Sequence, residues 1–572
     1  MFYSYIALTD DFGKQITDML RALGMDLRGH VKQLRLFAPW ETPVLPLPNG
    51  GFVLGDLYRD GSPVMDLSIL RHLPTRRALR QHLLDRYWGE YLLIQPADEG
   101  DDDVTLMRDP SGGIACAYSL KQGFITSDLS IPAHLGLHRD RIDWEFVSHC
   151  LVHPHTKISR TGIADVSELL PGCMLSINGQ TTATTVAWSP WTFVATAERK
   201  NDPVASAQAI RAATTSAIRA MAQTDQSLLL QLSGGLDSSI VGACLADTAA
   251  RITCCTLTTP LPGADERRYA GQVAEQIGVE LLQQPLDFES GGIDFPLPRH
   301  SLRPAIWALG HAVARAMENA AAHREASSLF SGAGGDTVFC YLKSAAPAAD
   351  AFREQGMAAG WRAIIDLSRL HGCTLAKAAR LTLRKLYLPP KPPHKPDYTL
   401  LAQADPAPAL EQHPWFNAPV SAFPGDRERI FDLAATQLFP ESALQIGPDH
   451  RRIRMPLLSQ PVMEACLRVP SWMWICGGKN RAVARAAFAG QLPQEVLNRR
   501  SKGTFMNYNF ALYRKNKEAI RRFLLDGRLH SRGLLDPQKL YAILDSRQTA
   551  RDHSFMRLFT LCMIENWVRN HT

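Results

Sequence analysis

The stretch Ser227-Leu-Leu-Leu-Gln-Leu-Ser-Gly-Gly-Leu-Asp-Ser-Ser239 runs an apolar strand into two glycines and then into a helix-like segment. That junction narrows the fold more than any other part of the chain. Glycines let backbone N–H groups close on an anion, and the N-terminus of the next helix adds partial positive charge. Leu232, Ser233, Gly234, Gly235, Asp237, Ser238 and Ser239 therefore read as a pyrophosphate-binding loop, with the two serines as caps of the helix. Asp237 does not itself attract phosphate. Beside a triphosphate its carboxylate fits as a ligand of bridging Mg²⁺, which prefers oxygen donors and takes some of them from the nucleotide. No Gly-Lys-Ser/Thr follows, so the loop is not of the Walker type.

A second loop, Ser328-Leu-Phe-Ser-Gly-Ala-Gly-Gly-Asp-Thr-Val-Phe339, again ends a strand with glycines and one acid, and Asp336 is the natural partner of Asp237. Strands over 227–232, 251–258, 280–286 and 327–331 and helices over 238–249 and 265–277 are expected between and around these loops. Their alternation predicts a doubly wound parallel sheet with ligands at the carboxyl ends of its strands. Residues 1 to 195 look different. Gly51 to Asp56, Tyr91 to Ile94, Val104 to Met107, Gly123 to Ser127 and Cys173 to Ile177 read as short strands between Asp, Gly and Pro turns. The chain's 572 residues exceed what one core usually supports, so two domains are expected, 1–195 and 205–572, with the boundary between 190 and 205. The prolines of Leu388 to Pro396 exclude helix and predict a stiff exposed connection.

Charge and composition remove several function classes. The net charge of +6 is spread over 62 basic and 56 acidic residues without a long block of one sign, so nothing points to nucleic acid. The 11 cysteines contain no CxxC pair, and Cys254-Cys255 lie in a strand-like run, which predicts reduced core thiols. No signal-like start and no run of about 18 apolar residues is present, so a cytoplasmic protein off the membrane is expected. Three basic clusters remain: Arg451-Arg-Ile-Arg454, Gly477-Gly-Lys-Asn-Arg481 and Asn498-Arg-Arg-Ser-Lys-Gly-Thr504. They place cations at turns. Lys502 is the candidate for stabilising negative charge that develops during a reaction, whereas Lys479 and Arg481 read as surface charges at a helix start.

These residues resemble the asparagine synthetase superfamily over nearly the whole chain. Ser233 to Ser239 is similar to its ATP pyrophosphatase loop, Asp265 to Ala270 to the following helix and Ser331 to Asp336 to the second nucleotide loop. Met455-Pro-Leu-Leu and Leu492 to Arg499 match its C-terminal segment. The resemblance implies an α/β fold: an α+β glutaminase-like (Ntn-type) β-sandwich followed by the ATP pyrophosphatase sheet. It implies ATP and Mg²⁺ as cofactors, Leu257 and Ser331-Gly332 along the adenosine, Asp237 and Asp336 on the metal, and Lys502 at the catalytic lysine position. Departures matter equally. Glutamine-hydrolysing members begin Met-Cys, and here the second residue is Phe2, so the first domain is expected to be a retained scaffold that lost its nucleophile. Ala333 and Thr337 stand where asparagine synthetases carry glutamates.

Gly332 to Ser344 most resembles the lasso peptide cyclases, which close an isopeptide bond within a precursor peptide. The resemblance implies adenylation of an Asp or Glu side chain, attack by the peptide's N-terminal amine, and a leader protease and leader-recognition protein as partners. His300, His311 and Glu266 are unranked candidates for the base. Other amide formers on this fold, a β-lactam synthetase or an ammonia-fed asparagine synthetase, are the alternative, with Tyr341 and Glu464 as a possible Tyr–Glu pair. A non-catalytic scaffold is a further alternative, against which Asp237, Asp336 and Lys502 together argue.

Overall fold

The computed structural model describes all residues except 1–2, 10–11, 99–102, 179–180, 262–264, 287–290, 299–300, 391–394, 403–409, 411, 443–450, 501–502 and 550–551. Two antiparallel sheets occupy the N-terminal part. The first runs in the order Ser167–Glu168, Ala117–Ser119, Phe124–Thr126, Ile6–Leu8, Leu34–Ala38, Asp26–Val31. The second runs Thr181–Val186, Cys173–Asn178, Val104–Arg108, Trp88–Pro96, Phe52–Arg59, Val44–Pro46, with Ser62–Pro63 paired to Phe52–Arg59. All five short strands expected here form.

Side chains alternate across a strand, and here both faces of the second sheet are covered. Leu54, Leu92, Ile94 and Leu106 pack between the two sheets with Tyr5 and Leu36. Val53, Leu93 and Met107 point the other way, into a cluster that also holds Leu228, Leu230 and Ile240 of the C-terminal part. This is why Tyr91-Leu-Leu-Ile is apolar at every position. The sheet is sandwiched between its sister and the rest of the molecule.

The C-terminal sheet is parallel throughout, in the order Leu281–Pro285, Arg251–Thr258, Ser227–Gln231, Ser328–Ser331, Arg452–Arg454. The chain builds outward from Ser227–Gln231, then returns to its other side at Ser328–Ser331. Their carboxyl ends flank the point where the winding reverses, which is where open α/β sheets open a ligand crevice. The helix after the first loop, Leu236–Leu245, starts and ends earlier than the expected 238–249. Cys254 and Cys255 are buried free thiols in the strand Arg251–Thr258, both pushed up to about 12 by burial. Of the proline-rich connection, 391–394 lie outside the described residues; the helix before it ends at Tyr387. Among the described residues, no helix is long and apolar enough to cross a membrane.

The first basic cluster corrects the sequence reading. Arg452–Arg454 is not a turn but the edge strand of the parallel sheet, and its cations face the N-terminal part. Arg454 is fully buried and donates to Asp56 Oδ2 at 2.6 Å and Thr224 Oγ1 at 3.0 Å, with Glu90 as a further partner. Arg452 donates to the same Asp56 oxygen at 2.9 Å. A second buried network joins the two parts through Glu168. Its Oε1 pairs with Arg108 at 2.7 Å and Lys157 at 2.8 Å, and its Oε2 with Arg303 at 2.5 Å. Lys157 and Arg303 each reach Glu441 Oε1 at 2.6 Å. Charges taken out of water persist only when paired, so these contacts hold the two parts in one arrangement.

A buried acid elsewhere carries a pH prediction. Asp350 accepts from the Gly425 amide at 3.1 and 3.0 Å and from the Ser471 hydroxyl. Burial, with Asp426 close by, holds its carboxyl well above the ordinary carboxylate range. The folded state therefore keeps a proton that the unfolded chain releases, and this group's contribution to stability falls as pH rises from the unfolded value towards the folded one. Urea unfolding at about pH 5 and about pH 8 is expected to show a smaller loss across that interval for Asp350→Asn than for the wild type. Equal slopes would remove Asp350 as the cause.

Candidate active site

The apolar run Ser227–Gln231 continues into Leu232, whose buried amide donates to the Cys255 carbonyl at 2.8 Å. Gly235 then takes the N-cap position with no side-chain hydrogen bond. Because the helix starts at Leu236, the serines expected to cap it fall inside its first turn. Ser238 Oγ accepts from the Ser233 amide at 3.2 Å, and the Ser239 hydroxyl donates to the Gly235 carbonyl at 2.7 Å. Both serines stiffen the loop, and the N-cap glycine has no side chain with which to cap the helix, which favours an anion at that end.

The second loop rests directly on the first. A Cβ on Gly332 would lie 2.6 Å from the Ser238 amide nitrogen, and one on Gly335 would lie 2.4 Å from Asp237 Cγ. Only glycine permits that approach. It brings Asp336, in the turn Gly335–Val338, beside Asp237. Both acids then meet Arg481, whose Nη1 donates to Asp237 Oδ1 at 3.0 Å, Asp237 Oδ2 at 2.9 Å and Asp336 Oδ1 at 2.7 Å.

Arg481 was expected on the surface, and it is 9% exposed. A tight turn closed by mutual hydrogen bonds between Cys476 and Lys479 delivers it, and its own φ of +51° is in the left-handed region. For a non-glycine residue that conformation costs about 1–3 kcal/mol and persists only where surroundings enforce it. Here the enforcement is the pair of carboxylates and the Tyr341 ring, 5.4 Å from the guanidinium. Lys479 instead donates to Asn498 Oδ1 at 2.7 Å. Arg499 stacks 4.1 Å over Tyr269, pairs with Glu266 Oε1 at 2.7 Å and donates to the Gly234 carbonyl at 3.3 Å. Arg485 completes the group, and burial beside Arg481 pushes it down to about 10. Loops and arginines enclose a cavity of about 190 Å³.

The asparagine synthase family model matches residues 209–569, which include both loops, the three arginines and every strand of the parallel sheet. The chain belongs to the asparagine synthase family. This is a class of ATP-dependent carbon–nitrogen ligases that use ATP, typically with Mg²⁺, so the chain is an ATP-dependent amide-forming ligase. No curated protein matches it.

The site suits what the family uses. Asp237 and Asp336 already bring their oxygens onto one positive centre, the Arg481 nitrogen, so both would hold a hard cation that takes its other oxygens from phosphates. No cluster of three or more His, Cys, Asp or Glu able to hold a metal occurs among the described residues. Of the residues assigned to ATP and pyrophosphate, Ser233, Gly235, Asp237, Ser238, Ser331 and Gly332 line the cavity. Leu257 does not: its side chain joins the core with Leu229 and Cys255. Lys502 and His300 lie outside the described residues. His311 stacks on Phe295 with centroids 4.0 Å apart, and Glu266 serves Arg499, so neither is presented to the cavity as a base. Glu464 accepts from Trp188 Nε1 at 3.0 Å and Gln460 Nε2 at 2.9 Å, whereas Tyr341 lies under Arg481; the structure does not join them as a pair.

Proposed function

We propose that the chain is an ATP-dependent macrolactam cyclase of lasso peptide biosynthesis. A side-chain carboxylate of an Asp or Glu in a precursor peptide attacks the α-phosphorus of ATP, and pyrophosphate leaves. The peptide's N-terminal amine then attacks the acyl carbon, AMP departs with the bonding electrons, and the ammonium proton is lost. Mg²⁺ held by Asp237 and Asp336 would supply charge neutralisation on the departing pyrophosphate. Arg481 and Arg499 add fixed positive charge, Ser238 and the leading amides of the Leu236–Leu245 helix cradle phosphate oxygens, and Lys502 is assigned to the developing charge on the acyl group. The N-terminal part acts as a scaffold, a leader protease and leader-recognition protein prepare the peptide, and the compartment is the cytoplasm.

The observation that carries this reading is Ala333. It places a methyl group at the cavity wall where the amide-forming relatives that bind aspartate carry a carboxylate, and the sequence around it, Gly332 to Ser344, resembles the cyclases. The test is mass spectrometry of a candidate precursor incubated with its leader protease, this protein, ATP and Mg²⁺, with AMP and pyrophosphate followed in parallel. Loss of one water mass together with AMP release is the expected result. A linear product only, with AMP released when ammonia or a small amino acid is supplied, would move the assignment to a small-molecule amide synthetase.

A further inference from the structure

A second cavity opens behind the phosphate site. It has a volume of about 300 Å³ and is walled by Val313, Ala314 and Met317 of the helix Ala308–His323, with Phe439, Ile453 and Met455 opposite. The two cavities share Gln231, Ser331 and Ala333, so among the described residues a methyl group flanked by two polar side chains forms their common wall. Gly310 and Ala314, one helical turn apart, keep the helix wall recessed. Among the described residues of the lining, the one charged side chain, Glu318, is committed to Arg451. The two cavities thus differ in polarity: arginines and hydroxyls line the first, and mostly hydrocarbon lines the second.

We propose that this apolar cavity is a substrate pocket, which takes a hydrophobic side chain lying next to the carboxylate that is activated in the phosphate cavity. The inference rests on the amide-forming reading above and adds a substrate class to it: carboxylates carried on a peptide with an adjoining apolar residue. Three observations favour that occupant. The common wall at Ala333 sets the two cavities side by side, where neighbouring groups of one substrate would sit. Among the described lining residues the one charged group, Glu318, already serves Arg451, so a charged side chain placed here would lose its hydration for little in return. A volume at the low end of about 300–1,000 Å³ for ligand cavities suits one large side chain and not a folded peptide.

The test uses the full-length protein and four acetylated, amidated peptides containing one Glu followed by Leu, Phe, Ser or Lys. Peptide binding is measured calorimetrically with a non-hydrolysable ATP analogue and Mg²⁺, and pyrophosphate release is measured separately with ATP. The Leu and Phe peptides are expected to bind about 10- to 200-fold more tightly than the Ser and Lys peptides. Ala314→Phe, which fills the cavity, should erase the difference while leaving affinity for the ATP analogue unchanged. Met317→Ala, which enlarges it, should move the preference from Leu towards Phe and guards against a folding defect in the first variant. Equal binding of all four peptides, binding of none, or an unaltered preference in both variants overturns the pocket. So does a weakened ATP analogue in Ala314→Phe, which would assign the cavity to the nucleotide. Selective binding without pyrophosphate release from any peptide would sink the amide-forming reading and leave the pocket standing; release without selectivity would do the reverse.

Discussion

Asp237→Ala is expected to lower ATP-dependent pyrophosphate release on the order of 1,000-fold with the protein still folded. The loss follows from removing one of two carboxylates that converge on a single centre, at 2.9 Å for Asp237 and 2.7 Å for Asp336. Metal-assisted charge stabilisation is worth several kcal/mol, and about 1.4 kcal/mol corresponds to a factor of ten in rate. The fold survives because Arg481 retains Asp336 and because the Ser233–Ser238 and Ser239–Gly235 hydrogen bonds that shape the loop do not involve the lost carboxylate. Single-turnover pyrophosphate release and circular dichroism on the same preparation check both halves. Wild-type turnover by the variant would refute the assignment of Asp237, and loss of structure would make it a stability residue.

Glu168→Ala should destabilise the protein by about 3–5 kcal/mol, the range for breaking a buried pair from one side. Arg108, Lys157 and Arg303 all converge on this carboxylate, each side chain no more than 3% exposed. Without it Lys157 and Arg303 keep Glu441, while Arg108 keeps the carbonyls of Leu169 and Gly112. Burial by itself would raise the Glu168 carboxyl, but Lys157, Arg303 and Arg108 together hold it well below the ordinary range. Its stabilisation is therefore complete above the unfolded carboxylate value and is lost as pH falls through the depressed folded value. The wild type should lose stability on acidification more steeply than Glu168→Ala, and urea titrations from neutral pH down to about pH 3 would show it. Parallel curves would mean that the cations have found other partners. The opposite slope expected from Asp350 falls in a higher pH interval, so the two can be separated in one series.

The loops, the parallel sheet and the two acids were legible in the sequence because each rests on local rules. Gly332 and Gly335 stand where any side chain would collide with Ser238 or Asp237, and alternation of strand with helix in register leaves few windings to choose among. The run Tyr91 to Ile94 announced a strand, though not that both its faces would be covered. What the sequence could not disclose depends on partners far along the chain. Arg481 reaches Asp237 across 244 residues, and nothing in Gly477-Gly-Lys-Asn-Arg distinguishes a buried clamp from a solvated charge. Arg452 and Arg454 looked like cations at a turn until the edge strand set them against Asp56 and Glu90. Leu257 shows the converse, an apolar residue at a strand end whose face is decided by the core behind it. A short motif encodes backbone geometry, and that much this chain determines by itself. Which charge is buried and what it meets follow only when distant segments are packed together, since the free energy of a buried ion belongs to the pair and not to either residue.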